Sequence, residues 1–272
     1  MEDTRRKEEK THGIFDLTGR IAIVTGGGRG LGRVYCEALA EFGADVAIAD
    51  IEEDGARETA ELMKKLGRRS LTVKADVTDP DAVQHMVKET VGKLGAIDIL
   101  INNAGISLKA AKIADMAIED WDRVIAVNLR GVFLCTRAVL PVMVRQKKGN
   151  IINIASLRGI SPTFETIETN PKAHYTASKG AVISFTKEAA LEYAREGIRI
   201  NCIAPGHHGA GPGRRWRDPE ETRKNEEAMA RITPMGRNGN PSELKGLVIY
   251  LASDASSFVT GQTFISAGGR GI

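Results

Sequence analysis

With 38 basic and 35 acidic side chains in 272 residues, the chain carries a net charge of only +3, too weak to suggest a nucleic-acid partner. Its length suits one large domain or two small ones, and 42% hydrophobic with 27% charged residues is a globular composition. Cys36, Cys135 and Cys202 are odd in number, far apart and form no CxxC. That argues against a disulfide framework or a cysteine zinc site and favours a reducing compartment, the cytoplasm.

The opening "MEDTRRKEEKTHG" holds four acids, four bases and almost nothing apolar. Residues 1–16 are therefore expected to be a charged, mobile tail, and the stretch is neither a signal peptide nor a membrane span. No apolar run elsewhere reads as long enough to cross a bilayer. Short apolar runs then alternate with helical patterns. Strands are predicted at Arg20–Gly26, Ala44–Asp50, Ser70–Asp76, Ala96–Gly105, Gly149–Ser156, Gly197–Gly206 and Gly261–Ser266. Helices are predicted over Leu31–Gly43, Glu52–Leu66, Asp79 to about Leu94, about Ile118–Gln146, and from "YTASK" to about Glu196. Strands apolar on both faces, alternating with helices, imply an α/β fold: a doubly wound, seven-stranded parallel sheet covered on both sides. No linker or composition break divides residues 17–272, so one domain is expected.

"TGGGRGLG" (Thr25–Gly32) lies where the first strand meets the first helix. Gly26, Gly30 and Gly32 leave little side-chain bulk, so backbone can approach a pyrophosphate whose charge a helix N-terminus favours. Leu31 sits between the last two of these glycines. Asp50 closes the second strand 20 residues beyond Gly30, the offset at which an acid meets adenosine ribose hydroxyls. A carboxylate there favours NAD over NADP, and Ile51 follows it at the same edge. Arg29 pulls the other way, since it could meet a 2′-phosphate or point into solvent. Asp76, followed by Val77, could receive the adenine amino group or simply open a helix. Asn103, Ala104 and Gly105, at the end of the fourth strand, suit a cofactor lying close to backbone.

Together "TGGGRGLG", "DV" at Asp76, "NNAG", "VNLRGVF", "NIAS", "YTASK" and "NCIAPG" occur in the order found in the short-chain dehydrogenase/reductase family, which the chain resembles over about Leu17–Gly269. The resemblance implies a Rossmann-type fold, a nicotinamide dinucleotide, and a homotetramer or homodimer. It implies the catalytic set Asn128, Ser156, Tyr175 and Lys179, with Pro205, Gly206 and His208 beside the cofactor. A free tyrosine has a pKa of about 10. Lys179, one helical turn beyond Tyr175, is expected to lower it so that the phenol can exchange a proton with an alcohol or ketone. Ser156 would hydrogen-bond the substrate oxygen. The resemblance further implies that Lys179 holds the nicotinamide ribose and that Asn128 positions a water.

Three departures stand out. Ser156 and Tyr175 are 19 residues apart, wider than in most relatives, with the extra material in "ISPTFETIETNP" (Ile160–Pro171). No threonine follows Pro205-Gly206 to meet the nicotinamide carboxamide, and no aspartate precedes the paired glycines near the C-terminus. Arg158, His207, Arg214 and Arg215 are candidates for binding an anionic substrate such as a sugar acid or hydroxy acid, because arginine pairs bidentately with carboxylates. Nearby acids leave open that the arginines are solvated or paired. No third ligand joins His207 and His208, so no metal is expected. The expected activity is interconversion of a secondary alcohol and a ketone on a polyol or sugar acid, similar to gluconate 5-dehydrogenases. Carbonyl or 3-oxoacyl reduction is the alternative, and a dinucleotide sensor without turnover is a third reading.

Overall fold

The computed structural model describes residues 13–163, 168, 170–209 and 218–271. Its strands are β1 (Ile21–Thr25), β2 (Asp45–Asp50), β3 (Ser70–Lys74), β4 (Ile99–Asn102), β5 (Gly149–Ile154), β6 (Ile198–Pro205) and β7 (Thr263–Ser266). All pair in parallel, in the order β3-β2-β1-β4-β5-β6-β7. The order reverses direction between β1 and β4. Ligands in such sheets bind at that switch point, outside the carboxyl ends of the strands.

The helices are α1 (Gly30–Glu41), α2 (Glu53–Lys65), α3 (Pro80–Leu94), α4 (Ile118–Ile125), α5 (Gly131–Gln146), α6 (Ala173–Tyr193), α7 (Pro219–Arg231) and α8 (Lys245–Ala252). Strand side chains alternate between two buried layers. Ile23, Leu100, Ile151 and Ile200 face α3, α5 and α6. Val24, Ile48, Ile101 and Ile203 face α1, α2 and α8. This alternation explains the near-continuous apolar runs of the central strands, since both faces are covered.

Several boundaries follow local chemistry. Pro80 begins α3, Asp79 caps it by accepting from the Asp81 amide at 2.9 Å, and Gly95 ends it in the left-handed region. The expected tail reached residue 16, yet Gly13–Phe15 form a 3-10 turn packed on the turn at Asp254–Ser256. The remainder of that tail, residues 1–12, lies outside the described residues. The single expected helix over 118–146 is interrupted by a π turn at Ala126–Arg130. By length and composition this rod could cross a membrane, contrary to the reading of the sequence, but more than half of its most apolar stretch is buried in the fold. It is a core helix lying under the sheet.

Candidate active site

The turn after β1 is shaped by its glycines. A Cβ on Gly26 would lie 3.0 Å from the Ala104 Cα, and one on Gly32 would collide with the Gly26 carbonyl oxygen. Gly26 and Gly30 have φ of 64° and 54°, which other residues adopt at a cost. Arg29, at the N-cap of α1, makes no side-chain cap, so the first amides of that helix remain for an anion. Asp50 is buried at the tip of β2. Its Oδ2 accepts from the Gly28 amide at 2.9 Å and its Oδ1 from the Glu52 amide at 3.0 Å. Ile51 beside it is exposed. The half-exposed Arg29 side chain donates through Nη1 to both carboxylate oxygens of Glu52, at 3.1 and 3.2 Å.

Thr25 ties this turn to the end of β4. Its hydroxyl accepts from the Asn103 and Ala104 amides at 3.0 and 3.1 Å, while Asn103 Nδ2 donates to the Thr25 and Gly26 carbonyls. Reading the sequence did not single out Thr25. The available signal was a polar residue ending the otherwise apolar "IAIVT". Asp76 is exposed and accepts from the amide and hydroxyl of Thr78, both at 2.8 Å, as a helix-entry turn does. Val77 is buried against Gly131.

Ser156 sits just past β5 and caps the 3-10 turn Leu157–Gly159. Tyr175 and Lys179 share one face of α6, and the Lys179 Nζ lies 5.9 Å from the Tyr175 ring centroid. Ser156 stands near enough to the Tyr175 phenol to lower its pKa. Lys179 Nζ donates to the Ile154 carbonyl at 2.7 Å, and a Cβ on Gly105 would lie 3.5 Å from it. Asn128, in the π turn, accepts from the Ile106 amide at 2.8 Å and donates to the Ile106 carbonyl and Ser178 Oγ. Ser178 in turn donates to the Tyr175 carbonyl. Its side-chain amide links the loop after β4 to α6, the helix that carries Tyr175 and Lys179.

The electrostatics differ from the expectation in one respect. Burial pushes the Tyr175 phenol up, and what pulls it down is the Ser156 hydrogen bond and then the Arg158 charge, not Lys179. Burial lowers the Lys179 ammonium to about 8. The geometry accords with this: the ammonium lies over the ring, 5.9 Å from its centroid, and donates to the Ile154 carbonyl.

Arg158 donates through Nη1 to the Asn170 carbonyl at 3.0 Å. His208 is buried, with Nδ1 at Gly206 O (3.3 Å) and Nε2 at Ser266 Oγ (3.4 Å), and its ring fills the space beside Gly239. Those contacts fix the segment after β6, where Pro205 pairs with Ser266 and the Gly206 amide donates to the Ser266 carbonyl. His207 is half-buried beside it. Arg214 and Arg215 lie outside the described residues.

The glycine turn, the open amides of α1, the Asp50 carboxylate and the small residues after β4 form a cradle of the right chemistry for a dinucleotide, and added side chains would fill it. Over residues 26–270 the chain matches the family described as enoyl-(acyl carrier protein) reductase. It belongs to the short-chain dehydrogenase/reductase family. A 3-oxoacyl-[acyl-carrier-protein] reductase of Synechocystis is 39% identical, over 93% of this chain and 97% of that protein. A cis-4-hydroxycyclohexanecarboxylate dehydrogenase of Sinomonas cyclohexanicum is 36% identical, over 92% of this chain and 96% of that protein. A gluconate 5-dehydrogenase from Burkholderia cenocepacia, solved with NADP and tartrate, is 37% identical and has a TM-score of 0.85, covering 94% of this chain and 96% of that one. This short-chain dehydrogenase/reductase is thus an NAD(P)-dependent oxidoreductase with a Rossmann-type fold.

Proposed function

We propose that this enzyme interconverts a secondary alcohol and a ketone, with Tyr175 as proton carrier and an anionic hydroxy compound as substrate. The observation that carries the reading is the grouping of Ser156, Tyr175 and Lys179 at the carboxyl ends of β5 and α6's neighbouring strands, beside the glycine cradle. A bound nicotinamide dinucleotide supplies the hydride acceptor in oxidation and the donor in reduction. Tyr175 removes the hydroxyl proton as the carbinol carbon loses hydride, and returns it in reduction. Ser156 holds the substrate oxygen and stabilises its developing charge. Lys179 would hold the nicotinamide ribose, and a pKa of about 8 suits it to passing protons near neutral pH. Asn128 is a positioning residue that fixes the loop after β4 against α6.

NAD is the preferred cofactor. Asp50 stands where the adenosine ribose would lie, and Glu52 holds Nη1 of the Arg29 guanidinium, for which a 2′-phosphate would have to compete. The NADP in the Burkholderia enzyme makes the comparison of both dinucleotides decisive. Arg158, beside Ser156, supports an anionic substrate, as do relatives whose names carry a carboxylate. A second reading, 3-oxoacyl reduction, is favoured by the Synechocystis relative. The test is NADH and NADPH turnover against polyols, hydroxy acids and 3-oxoacyl thioesters. Oxidation of hydroxy acids with NAD is expected, and activity confined to 3-oxoacyl thioesters with NADPH overturns the proposal.

Phe133 on α5 and Leu191 on α6 are exposed apolar residues on the outer face of the sheet's helical cover. They support a homodimer or homotetramer, which light scattering tests through the mass in solution. The three cysteines are free and buried, which supports a reducing compartment such as the cytoplasm.

A further inference from the structure

We infer that Gly271 is a positioning residue for Ser156: it presses on Leu157 and, with α6 on the opposite side, clamps the turn that holds the serine near Tyr175. The inference rests on the roles given to Ser156 and Tyr175 above and deepens them by naming what fixes the serine in place.

Ser156 opens the 3-10 turn Leu157–Gly159. Its Oγ accepts from the Arg158 amide at 3.3 Å and its carbonyl from the Gly159 amide at 2.9 Å. The Leu157 carbonyl accepts in turn from the Ile160 and Ser161 amides. So short a 3-10 turn has little stiffness of its own, and its place depends on what packs against it. On one side stands α6. A Cβ on Gly159 would lie 2.6 Å from the Lys179 carbonyl carbon and 2.7 Å from the Gly180 nitrogen, so the turn rests on helix backbone, which cannot give way.

On the other side stands the segment after β7. Leu157 is buried, and a Cβ on Gly271 would lie 2.5 Å from its Cδ1 and 3.8 Å from the Ser161 Cβ. Gly271 has a φ of 86°, in the region that favours glycine. The segment is pinned upstream. The Met235 amide donates to the Gly268 carbonyl at 3.1 Å, and the Arg270 amide to the Ala267 carbonyl at 3.2 Å. Gly268 and Gly269 lie so close to Thr233 and Pro234 that an added Cβ would come within 2.7 and 2.9 Å of those side chains. Bulk at position 271 is therefore passed to Leu157, and through it to the turn.

The consequence reaches the reacting proton. Burial pushes the Tyr175 phenol up, and Ser156, ahead of Arg158, pulls it down. The other titratable groups beside it are Lys179, over its ring, and the buried Tyr35 phenol on α1. A displaced turn carries Ser156 away from the phenol and withdraws the larger of the two lowering influences, so Tyr175 gives up its proton only at higher pH.

The test makes Gly271→Ala and Leu157→Val, singly and together. It follows kcat/KM against pH for the polyol or hydroxy acid that the wild type oxidises fastest with NAD, beside NADH affinity and Tm. Gly271→Ala adds the carbon that meets Leu157, and Leu157→Val removes the carbon it meets, so the double variant restores the fit. Gly271→Ala displaces the profile to higher pH and lowers kcat at pH 7 about tenfold, while NADH binds as in the wild type. Leu157→Val displaces it less. The double variant returns to within about twofold of the wild-type rate, although backbone strain at position 271 keeps its Tm low. Single variants that lose rate by one factor at every pH, or a double variant in which their losses only add, overturn the positioning role. If Gly271→Ala does not fold, a Leu157→Val profile identical to the wild type's overturns it. A Ser156→Ala variant with the wild-type rate and profile, or a wild type that oxidises none of these alcohols, overturns instead the reading on which the inference rests.

Discussion

Thr25→Val removes one hydroxyl while keeping the shape of the side chain, and the structure sets the size of the effect. Thr25 is 1% exposed and its oxygen accepts from two amides, those of Asn103 and Ala104. The Asn103 amide keeps the Ile101 carbonyl as a second acceptor at 3.1 Å, so the Ala104 amide is the donor that loses its partner. Such a donor costs about 1–3 kcal/mol, and Ala104 is half-buried, so the lower part of the range, about 1–2 kcal/mol, applies. For a chain of this length each kcal/mol moves the Tm by about 2–4 °C, giving a fall of roughly 2–8 °C. Differential scanning calorimetry reads it directly. Because the same bonds hold the glycine turn against the end of β4, NADH affinity measured by fluorescence titration should also weaken. A variant melting with the wild type, and binding NADH equally well, would refute the claim that this hydroxyl joins the two halves of the cradle.

Other substitutions probe the remaining geometry. The folded Lys179 pKa of about 8 lies below its ordinary 10.5, so between those values the unfolded state binds more protons and stability rises with pH. Below 8 both states are protonated and the penalty of about 3 kcal/mol is present in full. Urea midpoints from pH 8 to 10 should therefore rise more in the wild type than in Lys179→Met. Removing the Arg158 charge in Arg158→Gln raises the Tyr175 pKa, so alcohol oxidation should fall at pH 7 and recover at higher pH, as a kcat/KM profile would reveal. At Gly105 a Cβ would lie 3.3 Å from Asn128 Oδ1 and 3.5 Å from Lys179 Nζ. Gly105→Ala should be tolerated, whereas Gly105→Val overpacks the site by about 1–3 kcal/mol and should weaken NADH binding about tenfold.

Much of this was legible in the sequence, for local reasons. The glycine turn, Asp50 and "YTASK" declare themselves through spacing within one turn or one strand–helix unit. What escaped reading has distant or atypical causes. Thr25 acts through a partner 78 residues away, and Gly271 through Leu157 in a distant part of the chain, which no local pattern displays. The π turn at Asn128 leaves the apolar pattern of the rod unbroken. No helix was expected after β6. The described α7, "PEETRKNEEAMAR", has too few apolar residues to mark a buried stripe, and α8, "KGLVIYLA", is too uniformly apolar to show a period. The pairing of Lys179 with the Ile154 carbonyl, rather than with the phenol, depends on where β5 ends relative to α6, and spacing along the helix alone cannot supply that.

The most direct measurement is hydride transfer by Tyr175→Phe. The variant loses one oxygen, the one whose pKa Ser156 lowers and the one assigned to carry the proton. It should fold, bind NADH and lose about 10²–10⁴-fold in kcat on the best alcohol substrate. Turnover near the wild-type rate, with the dinucleotide bound as before, would contradict the account.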